Sequence, residues 1–109
     1  MARSRTWREI LDRGMAALDR GSYPEAERLL EEAVAHADDR GDRALTLNNL
    51  GAVRNRLGRR SDARRAYMEA IGAWERVPDG NPLVMAAVMR NLTALQHAGA
   101  GLPAMLLRV

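Results

Sequence analysis

Apolar residues recur with the period of an α-helix in two stretches of the chain that lie 37 positions apart. In each stretch they fall at i, i+3, i+4, i+7, i+8 and i+11, which places them on one helical face. The later stretch contains Ala63, Ala66, Tyr67, Ala70, Ile71 and Trp74. The earlier stretch contains Ala26, Leu29, Leu30, Ala33, Val34 and Ala37. Glycines repeat with the same offset, and a period of this length indicates stacked helix pairs rather than one closed bundle.

Capping residues and helix breakers divide the chain into five predicted helices. We expect them at about 7–20, 23–37, 43–57, 62–77 and 82–98, because a residue that favours a helix start precedes each one. These expected caps are Thr6, Ser22, Asp42, Ser61 and Asn81. After a glycine-rich break at residues 99–101, residues 102–107 are predicted to begin a sixth helix. The range 1–109 then forms one domain, with repeats at about 7–40 and 43–77 and a partial repeat at about 82–109.

Small and large residues alternate in a set order within the second repeat. The residues are Leu47, Leu50, Gly51, Gly58, Ala63, Tyr67 and Ala70. The first repeat has Gly14, Gly21, Tyr23, Ala26, Leu30 and Ala33 at the matching positions, and the third has Leu92 and Leu95. This order resembles the tetratricopeptide repeat, although Arg13 and Thr93 depart from it. The resemblance implies an all-α, right-handed superhelix of about 2.5 stacked antiparallel helix pairs, in which helices 1, 3 and 5 line a concave groove.

Composition narrows the class of protein. The 109 residues include no cysteine, which excludes disulfides and thiolate metal sites. All 17 basic residues are arginine, which indicates a GC-rich bacterial genome. The net charge is only +3, so the high pI of about 10.5 is poor grounds for predicting nucleic-acid binding. No apolar run is long enough to span a membrane and the first residues do not form a signal peptide, so a cytoplasmic protein is expected.

The titratable residues form no catalytic or metal-binding set in the sequence. His36 and His97 are far apart and lack the spacing of metal ligands. Glu31 and Glu32 lie on an expected exposed helix face, where they make no acid–base pair. The sequence therefore predicts a protein that is not an enzyme and that has no cofactor.

Asparagines recur at matching positions of the helices expected to line the groove. Asn49 and Asn91 each precede a leucine, and both lie at the groove margin. In several tetratricopeptide proteins an asparagine at this position hydrogen-bonds the backbone of a bound extended peptide, so the resemblance implies the same role here. Helical spacing adds further candidates for the groove: Asn48, Asn55, Arg56, Arg90 and His97. The alternative is that Asn49 and Asn91 bond to neighbouring helices and that no peptide binds.

The first end of the groove is predicted to be apolar. Leu11, Met15 and Leu18 form a candidate patch for an apolar or amphipathic segment, with burial in the core as the alternative. The clamp that some family members use for acidic chaperone tails is not expected, because its positions lack the required charges. Those positions hold Leu11, Met15, Asn49, Ala87 and Asn91.

An arginine cluster surrounds the turn between the third and fourth helices. Its members are Arg54, Arg56, Arg59, Arg60, Arg64 and Arg65. Such a cluster suits an acidic protein tail or phosphates, but it is also typical of a solvated face that keeps a protein soluble. No aromatic residues interleave with these arginines, so nucleic acid is not expected as a partner.

Two functions remain open at the level of the sequence. The first is a non-enzymatic protein–protein interaction module that binds a peptide or helix of a partner in the groove of helices 1, 3 and 5. The second is an oligomerisation or regulatory domain that forms a homodimer through an apolar face near the end of the sequence. Candidates for that face are Met105, Leu106 and Leu107. A membrane is not expected as a partner, and the sequence does not identify the partner protein.

Overall fold

A computed structural model describes residues 6–97 and 104–108. It contains five helices: α1 (Trp7–Asp19), α2 (Tyr23–His36), α3 (Arg40–Arg56), α4 (Arg60–Trp74) and α5 (Pro82–Gln96). Each helix packs against the next one, and α3 also packs against α5. The described residues contain no strand. The helix pairs α1–α2 and α3–α4 therefore stack, α5 extends the stack, and the predicted all-α repeat fold is confirmed.

The turns that close the two helix pairs have the same structure. Gly21 and Gly58 both have φ of 78°, a conformation that residues with a side chain rarely adopt. The residue after each glycine donates its backbone N–H to the carbonyl five positions earlier, at 2.9 Å in both turns. This is the Schellman pattern, which satisfies carbonyls at a helix end. The two turns are 37 positions apart, so the period of the sequence is also a period of backbone geometry.

Two of the expected caps differ from the observed ones. Asp39 and not Asp42 caps α3, because its side-chain oxygen accepts the N–H of Asp42 at 3.0 Å. That helix begins three residues earlier than predicted. Helix α4 begins at Arg60, so Ser61 lies inside the helix and Arg59 occupies the cap position. The turn after Leu57 is short enough that the helix resumes before the serine is reached.

The other caps lie where they were expected. Thr6 accepts the N–H of Glu9 at 3.1 Å, and Asn81 accepts the N–H of Leu83 at 2.9 Å. Ser22 occupies the cap position of α2 without a side-chain hydrogen bond. Helix α4 ends three residues earlier than predicted. The N–H groups of Arg76 and Val77 bond to carbonyls three positions earlier, and residue 77 precedes Pro78, where the helical conformation is disfavoured.

Small residues allow the helices of the second repeat to approach closely. Ala63, Ala66 and Ala70 are completely buried along α4. Between the alanines the ring of Tyr67 lies against Gly51 of α3, and a Cβ atom added to Gly51 would lie 2.5–2.9 Å from three ring carbons. The glycine therefore makes the space that the tyrosine ring fills.

The hydroxyl group of Tyr67 is buried without a hydrogen-bond partner among the described residues. Burial also raises the pKa of this phenol. Replacing Tyr67 with Phe is expected to keep or raise the free energy of unfolding, by up to about 1 kcal/mol, because an unsatisfied polar group is removed from the interior. Urea denaturation measures the change.

Tyr23→Phe is the matched control, since the Tyr23 hydroxyl is exposed and accepts a hydrogen bond from Arg56 at 3.2 Å. That variant should be slightly less stable than the wild type. A loss of stability in Tyr67→Phe larger than in Tyr23→Phe would show that the buried hydroxyl has a partner.

Candidate peptide-binding groove

Residues 104–108 lie across the face of the stack that α1, α3 and α5 share. Side chains of all three helices bond to this short segment, which we call the groove segment. It has no helical hydrogen bonds, so the prediction that residues 102–107 begin a sixth helix is wrong for the described part of that range. The physical reason is that the asparagines of the groove bond to its backbone and take the place of the hydrogen bonds of a helix.

Asn91 of α5 forms a two-way hydrogen bond with Met105. Its side-chain oxygen accepts the Met105 N–H at 2.7 Å, and its side-chain nitrogen donates to the Met105 carbonyl at 2.8 Å. A primary amide has one acceptor and two donors, so it matches both polar groups of one residue of the peptide backbone. Side-chain identity at position 105 plays no part in this pair of bonds.

Asn49 of α3 repeats the arrangement two residues further along the groove segment. It accepts the Leu107 N–H at 2.8 Å and donates to the Leu107 carbonyl at 2.8 Å. In an extended chain, alternate residues present their N–H and C=O groups on the same edge. The bonding of Met105 and Leu107 by two parallel helices therefore indicates an extended backbone that is bound along one edge.

Asn48 connects the two amides. It donates to the Met105 carbonyl at 2.9 Å and to the oxygen of Asn49 at 3.4 Å, and it accepts from Asn91 at 2.9 Å. The second donor of Asn49 is directed at the sulfur of Met15 at 3.5 Å. These bonds set the orientation of all three amides, so their donors and acceptors are held ready for a backbone.

The three asparagines are buried, with exposed fractions of 0% for Asn48 and Asn49 and 2% for Asn91. Buried amides are costly unless they are hydrogen-bonded, and asparagine is a poor residue for the middle of a helix. Local helix stability therefore does not explain the presence of three buried asparagines. Their hydrogen bonds to the backbone of the groove segment explain it.

Side chains of the groove segment add apolar and charged contacts. Leu106 and Leu107 are partly buried and pack against the core, whereas the side chain of Met105 is exposed. Arg108 bonds to the carboxylate of Asp19 on α1, with a shortest distance of 2.7 Å. Both partners are about half exposed, so this ion pair contributes to the register of the segment more than to its affinity.

The apolar candidates at the first end of the groove have two different environments. Leu11 and Met15 belong to the buried core. Leu18 is only partly buried and packs against that core. Only Met15 has a described hydrogen-bond contact with the asparagines. An open apolar patch made of these three residues is therefore not what the structure shows.

The remaining predicted groove residues are exposed or partly exposed, unlike the three buried amides. Asn55 is partly exposed, and the guanidinium of Arg56 lies 5.9 Å over the ring of Tyr23 on α2. Arg90 and His97 are exposed on α5 and at its end. No described hydrogen bond joins Asn55, Arg56 or His97 to the groove segment. Met105, Leu106 and Leu107, the expected apolar self-association face, belong to the groove segment, where both leucines pack against the core. Self-association through these residues stays a prediction.

Two participants are absent from the sequence-based prediction. One is Asp19, the last residue of α1. Nothing in the sequence distinguishes it from an ordinary exposed acidic residue, so its pairing with Arg108 was not predicted. The other is the groove segment itself as an extended ligand. The signal available for it was weak: residues 104–108 contain no residue that favours a helix cap, and they follow two glycines.

Most of the predicted arginine cluster is engaged within the protein. Arg54 and Arg59 bond to the nearly buried carboxylate of Glu27, and Arg60 bonds to the carbonyl of Leu95. Arg65 lies 3.7 Å from Asp62 in a more exposed pair. These internal partners explain the arginine cluster as part of the structure of the protein, and they weaken its interpretation as a site for phosphates.

Among residues 6–97 and 104–108, no group of three or more His, Asp or Glu side chains could hold a metal ion. Within the same part of the chain no helix is long and apolar enough to cross a membrane.

Comparison with known proteins bears on the repeat architecture. The sequence profile of the tetratricopeptide repeat family matches residues 7–76, which include α1 to α4. No curated protein and no solved structure matches the chain.

Proposed function

Since this chain belongs to the tetratricopeptide repeat family, whose domains generally bind other proteins, we propose that its groove binds an extended segment of a partner protein. The binding surface is the face of α1, α3 and α5. Asn49 and Asn91 hold the backbone of the partner, and Asn48 orients them. The proposed role is binding and involves no catalysis.

One observation carries this proposal: each of the two asparagines closes a pair of hydrogen bonds on the backbone of alternate residues in the groove segment. Such bonds need N–H and C=O groups that are not already paired. A helix uses these groups internally, so the geometry supports an extended partner segment and not a helical one. Of the two kinds of partner that the sequence left open, the peptide is the one we propose.

The proposal predicts that peptide binding depends on both asparagines. The experiment is selection of displayed peptides on the 109-residue chain with the substitutions Met105→Pro and Leu107→Pro, which we call the double-proline variant. Proline has no N–H, so its groove segment cannot donate to Asn49 or Asn91 and the groove is accessible to added peptides. Each asparagine makes two hydrogen bonds to a backbone, so Asn49→Ala or Asn91→Ala should weaken the selected peptides by about tenfold.

Asn55→Ala is the matched control, because this asparagine lies on the same helix as Asn49 but has no described bond to the groove segment. Its effect on affinity should be less than twofold. Circular dichroism checks that all variants remain folded. Peptides that bind equally well to folded Asn49→Ala, Asn91→Ala and Asn55→Ala proteins would reject the groove, and a failure to select any peptide would reject peptide binding as the function.

A further inference from the structure

The groove of this protein is occupied by its own chain. Residues 104–108 satisfy the same three asparagines that the proposed function assigns to a partner segment. A partner that uses the same edge-on backbone bonds cannot bind at the same time, because the groove segment already lies against the edge of Asn49 and Asn91 that the partner would need. The contact between residues 104–108 and the groove would therefore compete with the binding of such a partner.

We propose that residues 104–108 are a built-in ligand, which regulates the groove by competing with partner segments of the same chemistry. This inference rests on the proposed function and adds to it both the regulation of the groove and the chemical class of the partner. That class is an extended segment with free N–H groups at two alternate residues, which correspond to Met105 and Leu107. It has leucine-like side chains at the positions of Leu106 and Leu107 and a basic residue directly after them. The basic residue corresponds to Arg108 and pairs with Asp19.

The strength of the competition follows from the length of the connection. In sequence, residues 98–103 separate His97 from the groove segment. A short connection gives the segment an effective concentration of about 1 mM at the groove. If the isolated segment binds with a Kd of about 100 µM, the attached copy weakens an added peptide by about tenfold.

The side chains explain why this segment and not another part of the chain fits the groove. Leu106 and Leu107 cover the core beside α3, and Arg108 reaches Asp19 near the end of α1. The side chain of Met105 is exposed and only the backbone of this residue is bound, so the groove does not distinguish between side chains at this position. We therefore expect a partner segment to vary most at the position equivalent to Met105.

The first test measures occupation of the groove in the intact protein. Hydrogen exchange followed by NMR should show slow exchange for the N–H groups of Met105 and Leu107 and faster exchange for that of Leu106. This alternation is the signature of one bound edge. Equal and fast exchange at all three positions would overturn the built-in ligand, while the proposed function could still be tested by the selected peptides.

The second test measures competition with a labelled synthetic peptide of residues 102–109. We expect it to bind the double-proline variant at least tenfold more tightly than the wild type, as measured by fluorescence anisotropy. Leu106→Pro is the matched control, because it introduces a proline while both donors at Met105 and Leu107 remain. It should resemble the wild type, and equal affinity of the peptide for wild type and double-proline variant would overturn the competition.

Methylation of single backbone nitrogens in the peptide identifies the bonds that matter. An N-methyl group at the Leu107 position should weaken binding to the double-proline variant by about tenfold, since it removes the bond to Asn49. The same group at the Leu106 position should have a smaller effect. Equal effects at the two positions would contradict binding along one edge.

Sedimentation of the wild type separates this proposal from exchange of the segment between two copies. A monomer over the concentration range of the peptide experiment is the expected result. A concentration-dependent dimer that keeps the alternating exchange pattern would place the segment in the groove of a second copy and overturn the intramolecular competition. A third outcome is a monomer with alternating exchange whose double-proline variant binds the peptide of residues 102–109 but yields no selected peptide. This outcome would support the contact between the groove segment and the groove, and it would reject the binding of a partner.

Discussion

Replacing Gly51 with Ala is expected to lower the free energy of unfolding by about 2 kcal/mol, because the added methyl group has no room. Its Cβ would lie 2.5–2.9 Å from three carbons of the Tyr67 ring, which is itself 1% exposed. The ring cannot move away without opening a gap between α3 and α4. The higher helix propensity of alanine offsets only part of this cost. Urea denaturation monitored by circular dichroism measures the change.

Gly72→Ala is the matched control, since the same substitution is made in a helix at a position where nothing lies within 4 Å of the new Cβ. This variant should gain about 0.5–1 kcal/mol of stability. Opposite signs for the two variants would separate packing from helix propensity. A Gly51→Ala protein as stable as Gly72→Ala would show that the contact between Tyr67 and α3 is not close.

Replacing Glu27 with Ala is expected to destabilise the protein by about 3 kcal/mol, because it leaves the positive charge of Arg54 without its nearest anion. The Glu27 side chain is 11% exposed and that of Arg54 is 17% exposed, so water compensates poorly for the loss. Arg59 loses a partner at the same time. These three residues join α2 to α3 and to the turn before α4, so the contact between the two repeats is weakened. Chemical denaturation measures the effect.

Glu31→Ala removes the same charge from the same helix and is the matched control. Glu31 lies 4.0 Å from Arg54 and its side chain is 53% exposed. Exposed pairs of this kind contribute little, so the change should be below about 0.5 kcal/mol. A similar loss in both variants would mean that net charge, and not the partly buried pair, explains the result for Glu27.

The periodic part of this fold could be predicted from the sequence. The apolar spacing that includes Ala63, Ala66 and Ala70 identified a helix face, and the same spacing 37 positions earlier identified the repeat. The turns at Gly21 and Gly58 were predictable for a related reason: a left-handed residue after a helix favours glycine. Both signals depend on residues that are close in sequence, and local geometry determines them.

Helix boundaries were predicted less well, because several residues compete for the same cap. Asp39 and Asp42 can both accept a backbone N–H, and the structure uses the earlier one. Ser61 is a good cap by type, yet the short turn at Gly58 restarts the helix before it. Residue preference alone does not decide between neighbouring candidates.

The candidate site could be predicted only in part. The register of Asn49 and Asn91 identified the two amides that the structure directs at a backbone. The sequence did not identify their occupant, because an apolar stretch such as residues 104–107 is compatible with a helix, a self-associating face or an extended segment. The choice among them depends on hydrogen bonds between positions 58 residues apart in the chain, as for Asn49 and Leu107.

For this protein, the order of residues by itself determined the helices and their repeat, because both follow from preferences within a few turns of helix that recur along the chain. The groove position of Asn49 and Asn91 was implied by the resemblance to the tetratricopeptide repeat. Only the tertiary structure decided that Glu27 pairs with Arg54 and that Arg108 pairs with Asp19, across 27 and 89 positions of sequence. It also decided that the groove holds the protein's own backbone. Such contacts form when the stacked helices bring residues that are distant in sequence close together. A single sequence does not indicate which of these residues will pair.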